Sequence, residues 1–219
     1  MSTAAALTSD HAESHGAPPA TCKFGMIIFL LSEAMLFAGL IAGYIVLRGA
    51  VAGPWPPEGA PDIGLTFPPS GLNLVMIANS IILISSSFAL HFSEAAIIKR
   101  NKSGLGLLLL TMVLGAIFLS VQAWEWMHLK HEGMWFPSAE GGGHGGSLFG
   151  VYGTTFFVTT GFHGLHVFVG LLLLVWCFLR QLLTNCFTPA RHAALANVSL
   201  YWHFVDVVWI VVYTALYVV

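Results

Sequence analysis

From residue 147 to residue 179 the chain carries no Asp, Glu, Lys or Arg. In hydrocarbon no water is available to satisfy peptide groups, so a run of this kind is predicted to be a membrane helix. Four further apolar stretches reach the roughly 20 residues needed to cross about 30 Å of hydrocarbon. The expected spans are 24–47, 72–92, 104–127, 148–179 and 193–218. Only 8% of the 219 residues are charged and 57% are hydrophobic, against about 25% charged in soluble domains. The expected fold is therefore all-α, an integral membrane bundle of five transmembrane helices over residues 24–219. No period of self-similarity links the spans, so an inverted-repeat transporter finds no support.

The few cations set the orientation. With the N-terminus inside, Lys23, Lys99, Arg100, Lys102, Arg180 and Arg191 are internal, and only Arg48 and Lys130 are external. Cytoplasmic loops carry the excess of Lys and Arg. The expectation is N-inside and C-outside. Residues 1–23, rich in Ala, Ser, His and Pro, lack the basic start of a secretory signal and read as a retained flexible cytoplasmic tail. His11 and His15 in it read as solvated. The net charge of −2 offers no basic surface for nucleic acid. Cys22, Cys177 and Cys186 form no disulfide or zinc framework.

Two external loops are expected. Residues 48–71 hold WPPEGAPDIGLTFPPSG, a proline-built cap with Trp55 at the interface. The EGGGHGG run at 140–146 reads as a flexible tether, in which His144 alone is a poor metal ligand.

Polar residues inside the membrane are the candidate site. Glu33 lies nine residues into the first span, about 13 Å deep, and is expected to be neutral or hydrogen-bonded. It reads either as a packing hydrogen bond or as a residue on a proton or gas path. Ala38, Gly39, Ala42 and Gly43 form overlapping small-xxx-small pairs that admit another helix. Asn73, Asn79 and Ser85 to Ser87 are expected to bond across helices. Glu125 and His128 have the spacing of a di-iron ligand pair, but no second Glu-x-x-His exists. Trp124 and Trp126 beside them mark an interface belt with a buried hydrogen bond.

His163 and His166 share one helix face near mid-membrane. A b-type haem clamped by either of them, with His203 as the second ligand, is one reading. The favoured one is a satisfied polar network of Glu125, His163, His166, His203 and Asp206, with His203 and Asp206 as an internal pair three residues apart. Trp202, Asp206 and Trp209 should share the buried face of the last span.

These blocks together resemble a known family. SEAMLFAGL from Ser32, WPP from Trp55, the Gln-x-x-Glu-aromatic block at 122–126, GVYGTTFFVTTGFHGLHVFVG from Gly150 and YWHFVDVVW from Tyr201 resemble subunit III of haem-copper cytochrome c oxidases. The resemblance implies a proton-pumping terminal oxidase in a bacterial inner membrane, part of aerobic respiration. It implies that this chain is non-catalytic and holds no redox cofactor or metal. On that reading a-type haem and copper belong to partner subunits I and II, and the chain packs on subunit I, holds structural phospholipid and supports proton uptake. Glu33 matches the family's reactive buried carboxyl and Glu125 the acid of the second block. Larger members carry seven spans with a lipid-filled cleft between the first two and the rest; this chain resembles the shorter bacterial form, to which that cleft is not carried over. The third subunit of a quinol oxidase is the alternative within the same superfamily, and a respiratory supercomplex is a further partner to be considered.

Overall fold

The computed structural model describes residues 19–50, 54–56, 71–101, 103–134, 147–185, 187–188 and 192–218. The expected tail up to residue 18, most of the proline-rich loop and the glycine run lie outside these. Five helices follow in order: α1 (Pro19–Ala50), α2 (Gly71–Ile98), α3 (Ser103–His131), α4 (Ser147–Thr184) and α5 (Ala193–Tyr213). A π-helical turn, Thr214–Val218, continues α5. All five are long and apolar enough to cross a membrane. Each of the first four starts before and ends after its expected span, because helical pairing continues past the hydrocarbon boundary where the apolar signal stops. Residues 19–23 accordingly begin α1 rather than belonging to the tail.

Helix α5 is the centre and α1 the periphery. Within their most apolar windows, 56% of α5 is buried but only 11% of α1. Helix α5 packs on α1, α2 and α4, while α1 rests on α5 and α4. Phe24, Ile28, Leu31, Met35 and Val46 of α1 face outwards, as do Phe88, Phe92, Leu165 and Leu183 on other helices. Such a surface suits lipid or a partner helix, because neither competes for hydrogen bonds.

One side chain keys three helices to α5. The Trp202 indole is fully buried and lies between two glycines. A Cβ on Gly115 of α3 would stand 2.7 Å from Trp202 Cη2, and one on Gly170 of α4 would stand 2.9 Å from its Cε3. Its Nε1 donates to Ser86 Oγ of α2 at 2.9 Å. Two turns further on, Trp209 Nε1 donates to Ser80 Oγ of α2 at 2.9 Å, and its ring meets Phe118 of α3 edge to face. The glycines are thus indole slots. By contrast a Cβ added to Gly39 or Gly43 would meet no described atom within 4 Å, so the small-residue face of α1 receives no described helix of this chain.

Overpacking a filled core site costs about 1–3 kcal/mol. Gly170→Ala and Gly115→Ala are expected to lower the thermal midpoint of the chain purified away from any partner, whereas Gly39→Ala does not lower it; melting curves of the three variants check this.

Candidate functional site

The polar side chains expected to form one network are distributed over three separate clusters and one isolated ring. Glu33 of α1 meets His166 of α4, Oε2 to Nε2, at 3.0 Å. Both side chains are largely shielded, 19% and 13% exposed. His166 Nδ1 lies 2.7 Å from the Phe162 carbonyl oxygen. A carbonyl only accepts, so Nδ1 carries a hydrogen. The contact between Nε2 and Glu33 then holds one proton, either on a neutral carboxyl facing a neutral imidazole or on an imidazolium facing a carboxylate. In both arrangements the pair has no net charge. Phe37 covers the His166 ring at 5.1 Å, and Tyr201 donates its hydroxyl hydrogen to the His166 carbonyl at 3.0 Å.

Asp206 and His203 meet through a third residue. Ser87 Oγ of α2 donates to Asp206 Oδ2 and lies 2.9 Å from His203 Nδ1. With its hydrogen given to the carboxyl, the serine oxygen accepts from the imidazole, which fixes the chain His203 Nδ1–H to Ser87 to Asp206. Trp202, Asp206 and Trp209 do share the buried face of α5, and Ser86, Ser87 and Ser80 of α2 are their partners. Of the other expected cross-helix polar residues, Asn79 Nδ2 donates to the Phe118 carbonyl of α3 at 3.3 Å, while Ser85 bonds back to Ile81 in its own helix.

Glu125 lies at the far end of α3 and is fully buried. Gln122 Nε2 donates to its Oε2, and the Tyr217 hydroxyl sits 2.9 Å from Oε1 and 3.0 Å from Oε2. Tyr217 is presented by the π-helical turn that ends the described chain. His128 is on another side of α3, exposed and stacked on Trp124 with ring centroids 5.6 Å apart. Glu125 and His128 therefore cannot ligate one ion. Tyr217 is a partner that sequence reasoning missed, since 92 residues separate it from Glu125.

His163 is enclosed by rings. Trp209 lies 4.8 Å away, Phe118 5.8 Å and Phe37 6.5 Å, centroid to centroid, and neither ring nitrogen has a hydrogen-bond partner among the described residues. A b-type haem needs an imidazole nitrogen aimed at the iron with room for the macrocycle. His166 has both nitrogens engaged and His163 has aromatic rings where a porphyrin would lie, so these residues do not fit that group. Among the described residues no three His, Cys, Asp or Glu side chains cluster as metal ligands.

Near the C-terminal end of α1, Trp55 Nε1 donates to the Tyr44 hydroxyl at 3.1 Å and its ring packs on Tyr152 at 5.2 Å. The described part of the first loop is thus anchored across α1 and α4.

Leaving a buried acceptor unpaired costs about 1–3 kcal/mol. Tyr217→Phe is expected to destabilise the protein by that amount, and Glu125→Gln with Tyr217→Phe by less than the sum of the two; a double-mutant cycle in thermal stability measures the coupling.

The sequence model of the family "Cytochrome c oxidase subunit III" matches residues 2–219. A protein of Thermostichus vulcanus, named cytochrome c oxidase subunit 3, is 36% identical over 214 residues, 97% of this chain and 93% of that one. One of the same name from a Synechocystis species is 37% identical over 211 residues, 96% of this chain and 81% of its own length. A probable cytochrome c oxidase subunit 3 of Nocardia farcinica is 39% identical over 203 residues, covering 92% and 89%. With a match across almost its whole length and five spans in the expected order, the chain belongs to the cytochrome c oxidase subunit III family.

Proposed function

We propose that the chain works as the non-catalytic third subunit of a proton-pumping cytochrome c oxidase, a multi-pass subunit in a bacterial inner membrane, where it stabilises subunit I and supports proton uptake. The observation that carries this reading is the Glu33–His166 contact, a polar pin between the peripheral helix α1 and the bundle. A lone carboxyl in a bilayer is costly. Paired with His166, it has a polar partner that fastens α1 to the bundle, and the partial exposure of both side chains leaves the pair open to the subunit's surface. The His203, Ser87 and Asp206 chain and the Glu125, Gln122 and Tyr217 cluster play the fastening part between α2 and α5 and between α3 and the end of α5.

The redox work is assigned to partners. Haem a and copper would reside in subunits I and II, with cytochrome c as the electron donor; the names of the relatives support cytochrome c over a quinol. The small-residue face of α1, Ala38, Gly39, Ala42 and Gly43, has no described helix of this chain against its glycines and suits close approach by a helix of a partner subunit. The apolar outer surfaces suit structural phospholipid, and an N-inside orientation follows from the cation count. Co-purification through a tag on this chain tests the assembly: two larger subunits carrying a-type haem and copper are expected, and a chain that arrives alone overturns the reading.

For the pin, Glu33→Gln and His166→Leu are each expected to speed inactivation of the complex during turnover by roughly five-fold, the consequence of losing about 1 kcal/mol or more of buried pairing. The double variant should be no worse than either single one. Unchanged turnover, proton-to-electron ratio and inactivation rate in both single variants would confine Glu33 and His166 to passive packing.

A further inference from the structure

The bonds that join His203, Ser87 and Asp206 can be reversed without losing a contact. His203 Nδ1 and Ser87 Oγ lie 2.9 Å apart, and Ser87 Oγ donates to Asp206 Oδ2. A hydroxyl both donates and accepts. The hydrogens can therefore run from Nδ1 through Oγ to a carboxylate, or from a carboxyl through Oγ to Nδ1, with every heavy atom in place. The second arrangement holds one more proton, which enters at His203 Nε2. As an N–H bond forms at Nε2, the Nδ1–H bond breaks and its hydrogen passes to Ser87, whose own hydrogen leaves for Asp206 Oδ2. The group of three goes from one negative charge to none. At His166 such a relay is barred, because its Nδ1 faces the Phe162 carbonyl, which never donates.

Titratable residues lead to this relay from one end of the bundle. Alternation of five spans puts the end of α2 and the start of α5 on one side, with six of the eight Lys and Arg. Glu94 and His91 stand four and seven residues before Ile98, the end of α2, and His203 and Asp206 stand ten and thirteen residues after Ala193, the start of α5. At 1.5 Å per residue their depths are about 6, 10, 15 and 20 Å. His91 is exposed, Glu94 and His203 are half-buried, and Asp206 is buried. His91 and Glu94 are close enough to His203 to act on its charge. The α1 residues beside His203 are Ile27, Leu30, Leu31 and Ala34, all apolar. On α4, His163 faces Trp209 and His166 faces Tyr201. Among the described residues no other charged group acts on Asp206.

The relay goes no further. Beyond Asp206 the seam holds Trp209, whose Nε1 is already given to Ser80, and Asp206 Oδ1 has no hydrogen-bond partner among the described residues. We propose that Asp206 is a proton-binding site, loaded and emptied from the basic end of the bundle through His203 and Ser87. It stores one proton and does not pass it across the membrane. The site joins α2 to α5 and is separate from the Glu33–His166 pin between α1 and α4.

The test uses the intact complex, followed by infrared difference spectroscopy across a pH jump and after transfer to heavy water. The wild type is expected to show a carboxylic-acid C=O band that follows pH and is missing from Asp206→Asn. Ser87→Ala removes the relay and should slow both the pH response and the deuterium shift of that band by at least about ten-fold. Ser87→Thr keeps a hydroxyl and should respond at the wild-type rate. A bond that serves packing alone predicts the opposite sign, since loosening α2 from α5 opens the site and speeds exchange. A band that ignores pH, a Ser87→Ala rate equal to or above that of the wild type, or a Ser87→Thr rate as slow as that of Ser87→Ala would each overturn the proposal. If Asp206→Asn does not assemble, the two Ser87 variants decide alone.

Discussion

The architecture depends on an indole filling the space that two glycines leave open. Trp202 of α5 fits against Gly115 of α3 and Gly170 of α4 while its one polar atom is taken by Ser86 of α2. In lipid, helices gain little by burying apolar surface, and close packing with satisfied hydrogen bonds has to hold them together. A large flat ring against backbone supplies the packing, and its N–H supplies direction by engaging Ser86 among the three consecutive serines at 85–87. Trp209 and Ser80 repeat the arrangement further along the same seam. Together they set the register of α2 against α5, and that register in turn brings Ser87 to Asp206.

The polar groups show the same logic applied at three depths and with three chemistries. A carboxyl is matched to an imidazole at Glu33, to a serine hydroxyl at Asp206, and to an amide and a phenol at Glu125. Each carboxyl has a partner on another helix, and Glu125 takes a second bond from Gln122 of its own helix. His163 differs, because rings rather than donors or acceptors surround it. It belongs to the aromatic layer formed by Phe118 and Trp209 and contributes shape.

Much of this is legible in the sequence, for identifiable reasons. Five spans follow from apolar length, and the buried face of α5 follows from the spacing of Trp202, Asp206 and Trp209. Glu33 is recognisable as a residue in need of a partner. Its partner is not, because pairing across 133 residues depends on which helices become neighbours, and composition carries no such information. For the same reason His163 and His166, alike in sequence, separate in space: three residues along a helix put one towards the aromatic layer and the other towards α1. The direct His203–Asp206 pair expected from spacing is replaced by a bridge through Ser87, since a serine on the facing helix lies closer to both groups than their own helix surface brings them to each other. The small residues of α1 read as a face for another helix, but its glycines meet no described helix of this chain.

The Glu33–His166 pair also has a history within each molecule. Synthesis runs from the N-terminus at about 5–20 residues per second, so α1 enters the bilayer on the order of ten seconds before the residue that will neutralise its carboxyl has been made. Throughout that interval the first span is a helix with an unmatched acid, able to stay in the membrane only as a protonated side chain or beside a temporary polar neighbour. When α4 inserts, the carboxyl gains its partner His166. The order of the chain thus separates the insertion of α1 from the arrival of its polar partner on α4 and of α5, the other helix on which it packs.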